Sequence, residues 1–282
     1  MQHTANEHDP YDVRSPADIA KRVELAGVAK ATQDLPVMFV LAILAGAFIA
    51  MGAAFATTVT TGASGQLPYG LTKMLGGLAF CLGLILVVVA GAELFTGNNL
   101  VVMAWSSQLI STRQLLTNWA VVYVGNFLGA VLTAVLFFLA GHGEAGGGAV
   151  GDQVLAVASA KCRLGMTEAI AAGVGCNALV CLAVWLCMGA RSVTDKILSV
   201  IFPITAFVAT DMQHCVANMY FVPIGMLVKY QRSSVDFTDL TLSNFLIGNL
   251  LPVTIGNIIG GAVVVGLVYW FVYLRPKRSN NE

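Results

Sequence analysis

The stretch "GAELFTGNNL" at residues 91–100 lies inside a segment that is otherwise apolar from residue 71 to residue 108. It places Glu93, Thr96 and two asparagines where a membrane helix is normally most hydrophobic. A break in such a helix leaves backbone N–H and C=O groups unpaired, and each costs several kcal/mol if it faces lipid. The stretch therefore predicts an interrupted helix whose backbone is covered by protein or lines a water-filled path.

The composition is that of a membrane protein with several spans. Of the 282 residues, 57% are hydrophobic and 11% are charged, and the mean hydropathy is +0.78. These values exclude an ordinary soluble globule, and the zero net charge gives no overall field that would attract nucleic acid. The six cysteines form no CxxC pair and have no histidine at ligand spacing, so we interpret them as packing residues and expect no metal or other cofactor.

Six segments are apolar and long enough to cross a bilayer, for which a helix needs about 20 residues. They cover residues 36–60, 71–108, 115–140, 166–190, 195–229 and 245–274. An even number of crossings puts both termini on one side of the membrane. That side then carries 10 of the 15 Lys and Arg residues, so the positive-inside rule predicts that both termini are cytoplasmic.

The chain divides into a cytoplasmic N-terminal part at 1–35, a transmembrane domain at 36–275 and a cytoplasmic tail at 276–282. Within the first part, the capping residue Ser15 followed by a proline predicts an amphipathic helix that lies along the membrane face. The glycine-rich stretch at 141–161 predicts a flexible connector in the middle of the transmembrane domain.

An internal repeat is visible within the transmembrane domain. Like segment two, segment five is longer than one crossing requires and carries polar residues in its centre, within "ATDMQHCVAN" at 209–218. Segments three and six share a GNxxG core, "GNFLG" at 125–129 and "GNIIG" at 256–260. Three helices per half is an odd number, so the halves 36–140 and 165–275 cross in opposite directions. The pattern predicts an all-α protein of two inverted three-helix repeats, whose broken helices 2 and 5 mark a transport site near the midplane.

His214 is the only histidine in the apolar part of the chain, and an ionisable group at that depth indicates a function. One interpretation is a proton relay, since imidazole, with an ordinary pKa of about 6.5, binds and releases protons near neutral pH. The other is a neutral core histidine, and the broken helix favours the relay. Thr96 is the hydroxyl partner from the other break, and it can also cap the helix that resumes at Gly97.

Three charged residues near the breaks each have two interpretations. Glu93 and Asp211 can line the path, but carboxylates repel anions, so burial at a contact between repeats or subunits is favoured. Lys161 can draw anions toward a vestibule or can be an ordinary loop lysine.

Four motifs, in this order, resemble the formate/nitrite transporter family. They are "GAELFTGNN" at 91–99, "GCNALVCLAVWL" at 175–186, "HCVANMYFVPIGM" at 214–226 and "NLLPVTIGNIIGG" at 249–261. The resemblance extends from about residue 15 to residue 275. It implies a homopentamer in the bacterial inner (plasma) membrane, with an aquaporin-like fold and one pore per protomer for small monovalent anions such as formate, nitrite or hydrosulfide.

The resemblance also implies pore roles for individual residues. His214 is similar to the central pore histidine, and Thr96 to the threonine of the loop that breaks the second helix. The other implied positions are Leu94, Phe95 and Val180 for the cytoplasmic constriction, Phe80, Leu84 and Phe207 for the outer narrowing, and Lys161, Asn218 and Asn257 for polar groups of the pore and vestibule. Gln213 departs from the pattern, because formate-type members are expected to carry glutamate just before the histidine.

The expected mechanism follows from the cost of moving an ion through an apolar constriction. The idealised Born cost for a bare anion is on the order of 20 kcal/mol, and protonation removes most of it. We expect a weak-acid anion, most of all formate, to exchange a proton with His214 and cross as the neutral acid. The outcome is proton-coupled transport if the proton leaves with the substrate, and channel-like passage of the anion if it does not. Nitrite and hydrosulfide are the alternative substrates.

Two other classes of protein are disfavoured by the same sequence. A membrane-embedded enzyme needs a metal cluster, a nucleophile with its base, or a cofactor motif, and the spans contain no such set. A water or glycerol channel is expected to carry paired NPA motifs, which the sequence lacks.

Overall fold

The computed structural model describes residues 14–232 and 237–276. Within these ranges every regular element is helical, which confirms the all-α class. The α-helices are α1 (Pro16–Ala31), α2 (Leu35–Thr60), α3 (Tyr69–Ala90), α4 (Phe95–Asn98), α5 (Val102–Ser106), α6 (Thr112–Leu139), α7 (Ala149–Cys162), α8 (Met166–Gly189), α9 (Val193–Ala209), α10 (Cys215–Gln231), α11 (Leu251–Ile258) and α12 (Val268–Tyr273). Short 3-10 turns lie at Asn99–Val101 and His142–Glu144, and π-helical turns at Asn244–Leu250 and Ile259–Leu267.

Five helical segments of the described chain are long and apolar enough to cross a membrane. They are Leu35–Thr60, Tyr69–Ala90, Thr112–Leu139, Met166–Gly189 and Asn244–Tyr273. The region predicted as the fifth segment, 195–229, is divided between α9 and α10, which have 17 residues each. A straight crossing needs about 20 residues, so neither of these two helices is long enough alone.

A residue in the left-handed conformation follows the helix that precedes each interruption. Gly91, with a φ of 81°, follows α3, and Asp211, with a φ of 56°, comes shortly after α9. Glycine adopts this conformation without steric cost, whereas aspartate is there less often. The side chain of Asp211 is held by an ion pair with Lys73 and by the Tyr69 hydroxyl, which donates to it at 3.0 Å.

The glycines of the two GNxxG motifs allow helices to approach closely. Gly129 on α6 lies so near α2 that an added Cβ would overlap the carbonyl oxygen of Ile43. Gly260, in the last helical segment, has the same relation to the carbonyl oxygen of Val174 on α8. Close approach through small residues is a main source of helix packing in membranes. The two halves therefore place equivalent glycines at equivalent contacts.

The stretch 141–161 differs from the flexible connector expected of it. Glycines with positive φ at 146, 147 and 148 turn the chain, which then forms helix α7. The side chain of Arg232 fixes the turn by donating to the carbonyl oxygens of Gly143 and Gly148, each at 3.1 Å. The apolar residues that follow the glycines pack α7 against α10, which positions Lys161 at the end of α7.

The substitution Gly129→Ala tests the close contact between α2 and α6. Because the added methyl overlaps backbone rather than a movable side chain, we expect a loss of about 1–3 kcal/mol in unfolding free energy. It would be measured as a lower midpoint of thermal unfolding in detergent. Gly70→Ala is the matched control, since an added Cβ there meets no atom within 4 Å. Equal midpoints for the two variants would contradict the packing described here.

Candidate functional site

Asn126 on α6 satisfies the backbone where the chain resumes after Gly91. Its side-chain oxygen accepts from the Phe95 backbone N–H at 2.8 Å. Its amide group donates to the carbonyl oxygens of Ala42 at 2.7 Å and Glu93 at 2.9 Å. Asn126 is completely buried, so one side chain pairs the two backbone groups freed at the break, the Phe95 N–H and the Glu93 carbonyl oxygen, and ties them to the Ala42 carbonyl oxygen inside α2.

Asn257 does the same at the second interruption. Its side-chain oxygen accepts from the Cys215 backbone N–H at 2.9 Å, and its amide donates to the carbonyl oxygens of Gly173 and Gln213, each at 2.9 Å. It too is completely buried. The asparagine of each GNxxG motif thus satisfies the backbone at one interruption through its side chain. We call Asn126 and Asn257, with these hydrogen bonds, the two braces, and their hydrogen-bonding patterns are the same.

His214 and Thr96 meet where the two halves face each other. The Thr96 Oγ1 lies 2.9 Å from the His214 Nε2, and both side chains are buried. His214 is also the N-cap of α10, because its Nδ1 accepts from the Ala217 backbone N–H at 3.0 Å. A backbone N–H can only donate, so Nδ1 carries no proton and the neutral ring bears its proton on Nε2. Nε2 therefore donates to the threonine hydroxyl.

An apolar layer surrounds this pair. The Phe80 and Phe207 rings meet edge to face with their centroids 5.6 Å apart, and the Phe207 ring lies 6.0 Å from the His214 ring at an interplanar angle of 20°. All three side chains are buried, as is Leu94, the residue that corresponds to His214 at the first interruption. An ion that crossed here would lose most of its water before meeting the imidazole.

A cavity lies on each side of this layer. The first, which we call the Lys161 cavity, has a volume of about 190 Å³. Its lining includes Lys161, Gln213, His214, Phe80, Phe207 and Asp211. The second, the Lys30 cavity, has a volume of about 280 Å³. Its lining includes Lys30, Glu93, Leu84, Leu94, Gly97 and Lys196.

A polar network borders the Lys30 cavity. The Lys30 Nζ pairs with the Glu93 Oε1 at 2.6 Å, and the Asn98 side-chain amide donates to the Glu93 Oε2, also at 2.6 Å. The same amide donates to the Asn118 Oδ1 at 3.1 Å, and Asn118 donates to the Lys30 carbonyl oxygen at 3.1 Å. Glu93 is therefore a buried, paired carboxylate at a contact between α1 and the broken helix.

A network of the same connectivity borders the Lys161 cavity. The Lys161 Nζ donates to the Gln213 Oε1 at 3.1 Å, and the Asn218 amide donates to the same oxygen at 3.2 Å. Asn218 also donates to the Asn249 Oδ1 at 2.8 Å, and Asn249 donates to the Lys161 carbonyl oxygen at 2.9 Å. Helix α7 thus occupies in the second half the place of α1 in the first.

Two residues predicted for the cytoplasmic constriction, Phe95 and Val180, line neither cavity. The Phe95 ring packs edge to face on Tyr123 of α6, with the centroids 4.9 Å apart, and is absent from both cavity linings. Val180 is part of the buried core. Leu84, one helical turn beyond Phe80, lines the Lys30 cavity with Leu94 rather than the cavity of Phe80 and Phe207.

Asn218 and Asn257 lie behind the cavity lining as members of hydrogen-bond networks, although polar roles in the pore were expected for both. Asp211 lines the Lys161 cavity, and its side chain is 59% exposed in the single chain. The described residues contain no cluster of His, Cys, Asp or Glu that could hold a metal ion, and all six cysteines are free thiols.

Sequence reasoning missed Lys30, Asn98, Asn118 and Asn249 as parts of the site. Comparing the two halves position by position would have paired Asn98 with Asn218, because each stands four residues after the residue that precedes its resumed helix. No such signal existed for Lys30, since α1 lies outside the apolar segments.

Comparison with known proteins identifies the family. A sequence model described as formate/nitrite transporter matches residues 17–271, which is nearly the whole chain. The chain belongs to the formate/nitrite transporter family. The resemblance inferred from the four motifs is confirmed.

Several proteins similar to this chain are described as formate channels. The formate channel FocA of Escherichia coli (strain K12) is 43% identical over 279 residues, which cover 95% of this chain and 98% of the relative. The formate channel FocA of Haemophilus influenzae (strain Rd) is 40% identical over 263 residues, which cover 90% and 92%. A solved structure described as a pentameric formate channel with formate bound has a TM-score of 0.80 and 43% identity, and the match covers 86% of this chain and 98% of that one.

These relatives are channels and transporters rather than enzymes. The prediction that the chain is not an enzyme is therefore confirmed.

The substitution Asn257→Leu tests the brace at the second interruption. It leaves the Cys215 N–H and the Gln213 carbonyl oxygen without a partner and removes one bond from the Gly173 carbonyl oxygen inside α8, and a buried unpaired group costs about 1–3 kcal/mol. We therefore expect the unfolding free energy to fall by about 3 kcal/mol or more, measured by thermal unfolding in detergent. Asn244→Leu is the matched control, because that partly exposed side chain donates to a single carbonyl oxygen, of Asp239. A loss no greater than in the control would contradict the brace.

Proposed function

We propose that this chain is a transmembrane channel or transporter for small monovalent weak-acid anions, with formate as the main substrate. The observation that carries the proposal is the contact of Thr96 with His214 at 2.9 Å, in an apolar layer between two cavities. Family membership supports it, as do relatives described as formate channels. Nitrite and hydrosulfide are the alternative substrates.

We infer that the chain crosses the bilayer six times, as two inverted repeats in which helices 2 and 5 are broken. Helices α9 and α10 together supply the fifth crossing along the chain, and α3 with α4 and α5 supplies the broken crossing of the first half. The charge distribution puts both termini in the cytoplasm, and we place the protein in the bacterial inner membrane. Similarity to a pentameric formate channel supports a homopentamer with one pore in each protomer.

The apolar layer sets the form in which the substrate crosses. A bare anion between Phe80, Phe207 and Leu94 would pay a large desolvation cost, because no water replaces its hydration shell. Formic acid is neutral and avoids most of this cost. The Thr96 hydroxyl and the imidazole are the polar groups at the layer from which the anion can take a proton.

Proton transfer requires His214 to release the helix that it caps. In this step Nδ1 loses the hydrogen bond from the Ala217 N–H and takes a proton from solvent. The imidazolium then gives its Nε2 proton to the Thr96 hydroxyl as that hydroxyl gives its own proton to formate, and the ring is neutral again with its proton on Nδ1. Losing the cap costs about 0.5–2 kcal/mol, so the charged ring is a transient species rather than a stored charge.

The substitution His214→Asn separates the two roles of the histidine. Asparagine is a good N-cap residue but has no titratable ring. The oligomer should therefore persist, while formate uptake into proteoliposomes falls by about a hundred-fold, the scale of a lost acid-base group, and its rise at low pH disappears. Protein-free liposomes correct for diffusion of formic acid.

His142→Asn is the matched control, because this histidine lies in the turn between the two halves and should not affect uptake. His214→Phe removes the cap as well as the proton and should abolish or strongly alter uptake. Unchanged, pH-dependent uptake in His214→Asn would contradict the proton role.

Thr96→Val and Thr96→Ser form a second matched pair. Valine keeps the volume of threonine but removes the hydroxyl that bonds Nε2, whereas serine keeps the hydroxyl. We expect uptake to fall at least about ten-fold in Thr96→Val, the equivalent of one lost hydrogen bond to a buried group, and to stay near the wild-type value in Thr96→Ser. Equal uptake in both variants would exclude the hydroxyl from the path.

A further inference from the structure

The two polar networks differ in charge although they share their connectivity. In the first half the lysine is paired with a carboxylate, Glu93, at 2.6 Å. In the second half the corresponding partner is an amide, Gln213, at 3.1 Å from the lysine nitrogen. The ammonium group of Lys30 is therefore neutralised by an adjacent carboxylate, whereas that of Lys161 is not.

No carboxylate of the described residues forms an ion pair with Lys161. Asp211 lines the same cavity, but it is paired with Lys73 and accepts from the Tyr69 hydroxyl. The ring of Phe221, 5.0 Å from the Lys161 nitrogen, provides a weak cation–π contact. The charge of Lys161 thus has only neutral groups in direct contact with it.

An ammonium group has three donors, and within the described ranges Lys161 uses one of them, toward the Gln213 oxygen. Burial removes water from the Lys161 ammonium group, and this loss of hydration costs free energy. A hydrogen bond to a neutral amide offsets only part of that cost, because the amide carries no opposite charge. A small anion in the Lys161 cavity would supply the missing charge. In the Lys30 cavity the equivalent position is already filled by the carboxylate of Glu93.

We propose that Gln213 makes the two cavities unequal, so that the chain binds its anion more tightly from the Lys161 cavity than from the Lys30 cavity. The identity of the anion as formate rests on the proposed function. Lys196 also borders the Lys30 cavity, but it lies in the first turn of α9 and outside the network at the helix break. Gln213 is on this account a residue that determines affinity on one side of the membrane.

The substitution Gln213→Glu tests the proposal, because it gives Lys161 the partner that Lys30 already has. Initial rates of formate uptake would be measured over a range of concentrations in right-side-out and in inverted membrane vesicles. In the wild type the half-saturating concentration should be lower from the Lys161 side. Gln213→Glu should raise it about ten-fold or more on that side alone, as expected for an anion competing with a bonded carboxylate.

Glu93→Gln is the reciprocal variant and should lower the half-saturating concentration on the Lys30 side alone. Arg163→Gln is the control for net charge, since it changes the charge by the same amount as Gln213→Glu. It is the C-cap residue of the helix that carries Lys161, pairs with Asp239 at 3.9 Å and is absent from both cavity linings. Its half-saturating concentrations should match the wild type on both sides.

A binding measurement without flux keeps this inference separate from the proposed function. The rise in thermal unfolding midpoint caused by sodium formate, relative to sodium sulfate at equal ionic strength, should be present in the wild type and lost in Gln213→Glu. If this holds while the wild type carries no formate, the proposed function fails and the anion site stands. Equal effects of Gln213→Glu on the two sides, or no effect on either flux or stabilisation in a protein that still assembles, would overturn the inference.

Discussion

The backbone freed at the two interrupted helices is the constraint on which the rest of the structure depends. In a low-dielectric interior an unpaired N–H or C=O is expensive, so each interruption needs a partner that supplies an acceptor for the freed N–H and a donor for the freed carbonyl oxygen. Asn126 and Asn257 offer that set, and both are completely buried. The glycines beside them bring the bracing helices close enough to reach the backbone.

The same requirement ties the proposed chemistry to the fold. His214 caps the resumed helix through Nδ1, so the atom that meets Thr96 is the protonated Nε2. The backbone thereby selects the tautomer that donates toward the path. In the proposed mechanism, the group that releases a proton to the anion is therefore held by its cap in the neutral form between encounters.

Much of the site was predictable from the sequence, because polar residues inside apolar segments are conspicuous. The pairing of Thr96 with His214 and the GNxxG repeat could be read in this way. The cavity that Leu84 lines was harder to predict, because one helical turn, about 5.4 Å, separates it from Phe80 and decides which cavity a side chain reaches. The role of Lys30 depends on tertiary packing of α1 against the break, and no local pattern encodes that contact.

Gln213 stands beside His214 where a glutamate is expected in formate-type members of the family. The two networks give Gln213 a physical meaning, since Glu93 occupies the corresponding place with a charge that Gln213 lacks. The repeat therefore serves as an internal comparison, in which two networks of the same connectivity differ by an amide in place of a carboxylate.

The most direct test of the account is magnetic-resonance detection of formate beside the imidazole. Protein labelled with ¹⁵N at histidine would be reconstituted in bilayers with ¹³C-formate, and His214 would be assigned by comparison with His214→Asn. The account predicts a dipolar contact between the formate carbon and Nε2, and an Nδ1 that carries no proton in the absence of formate. A ring that is protonated at Nδ1 without substrate and shows no contact with formate would contradict it.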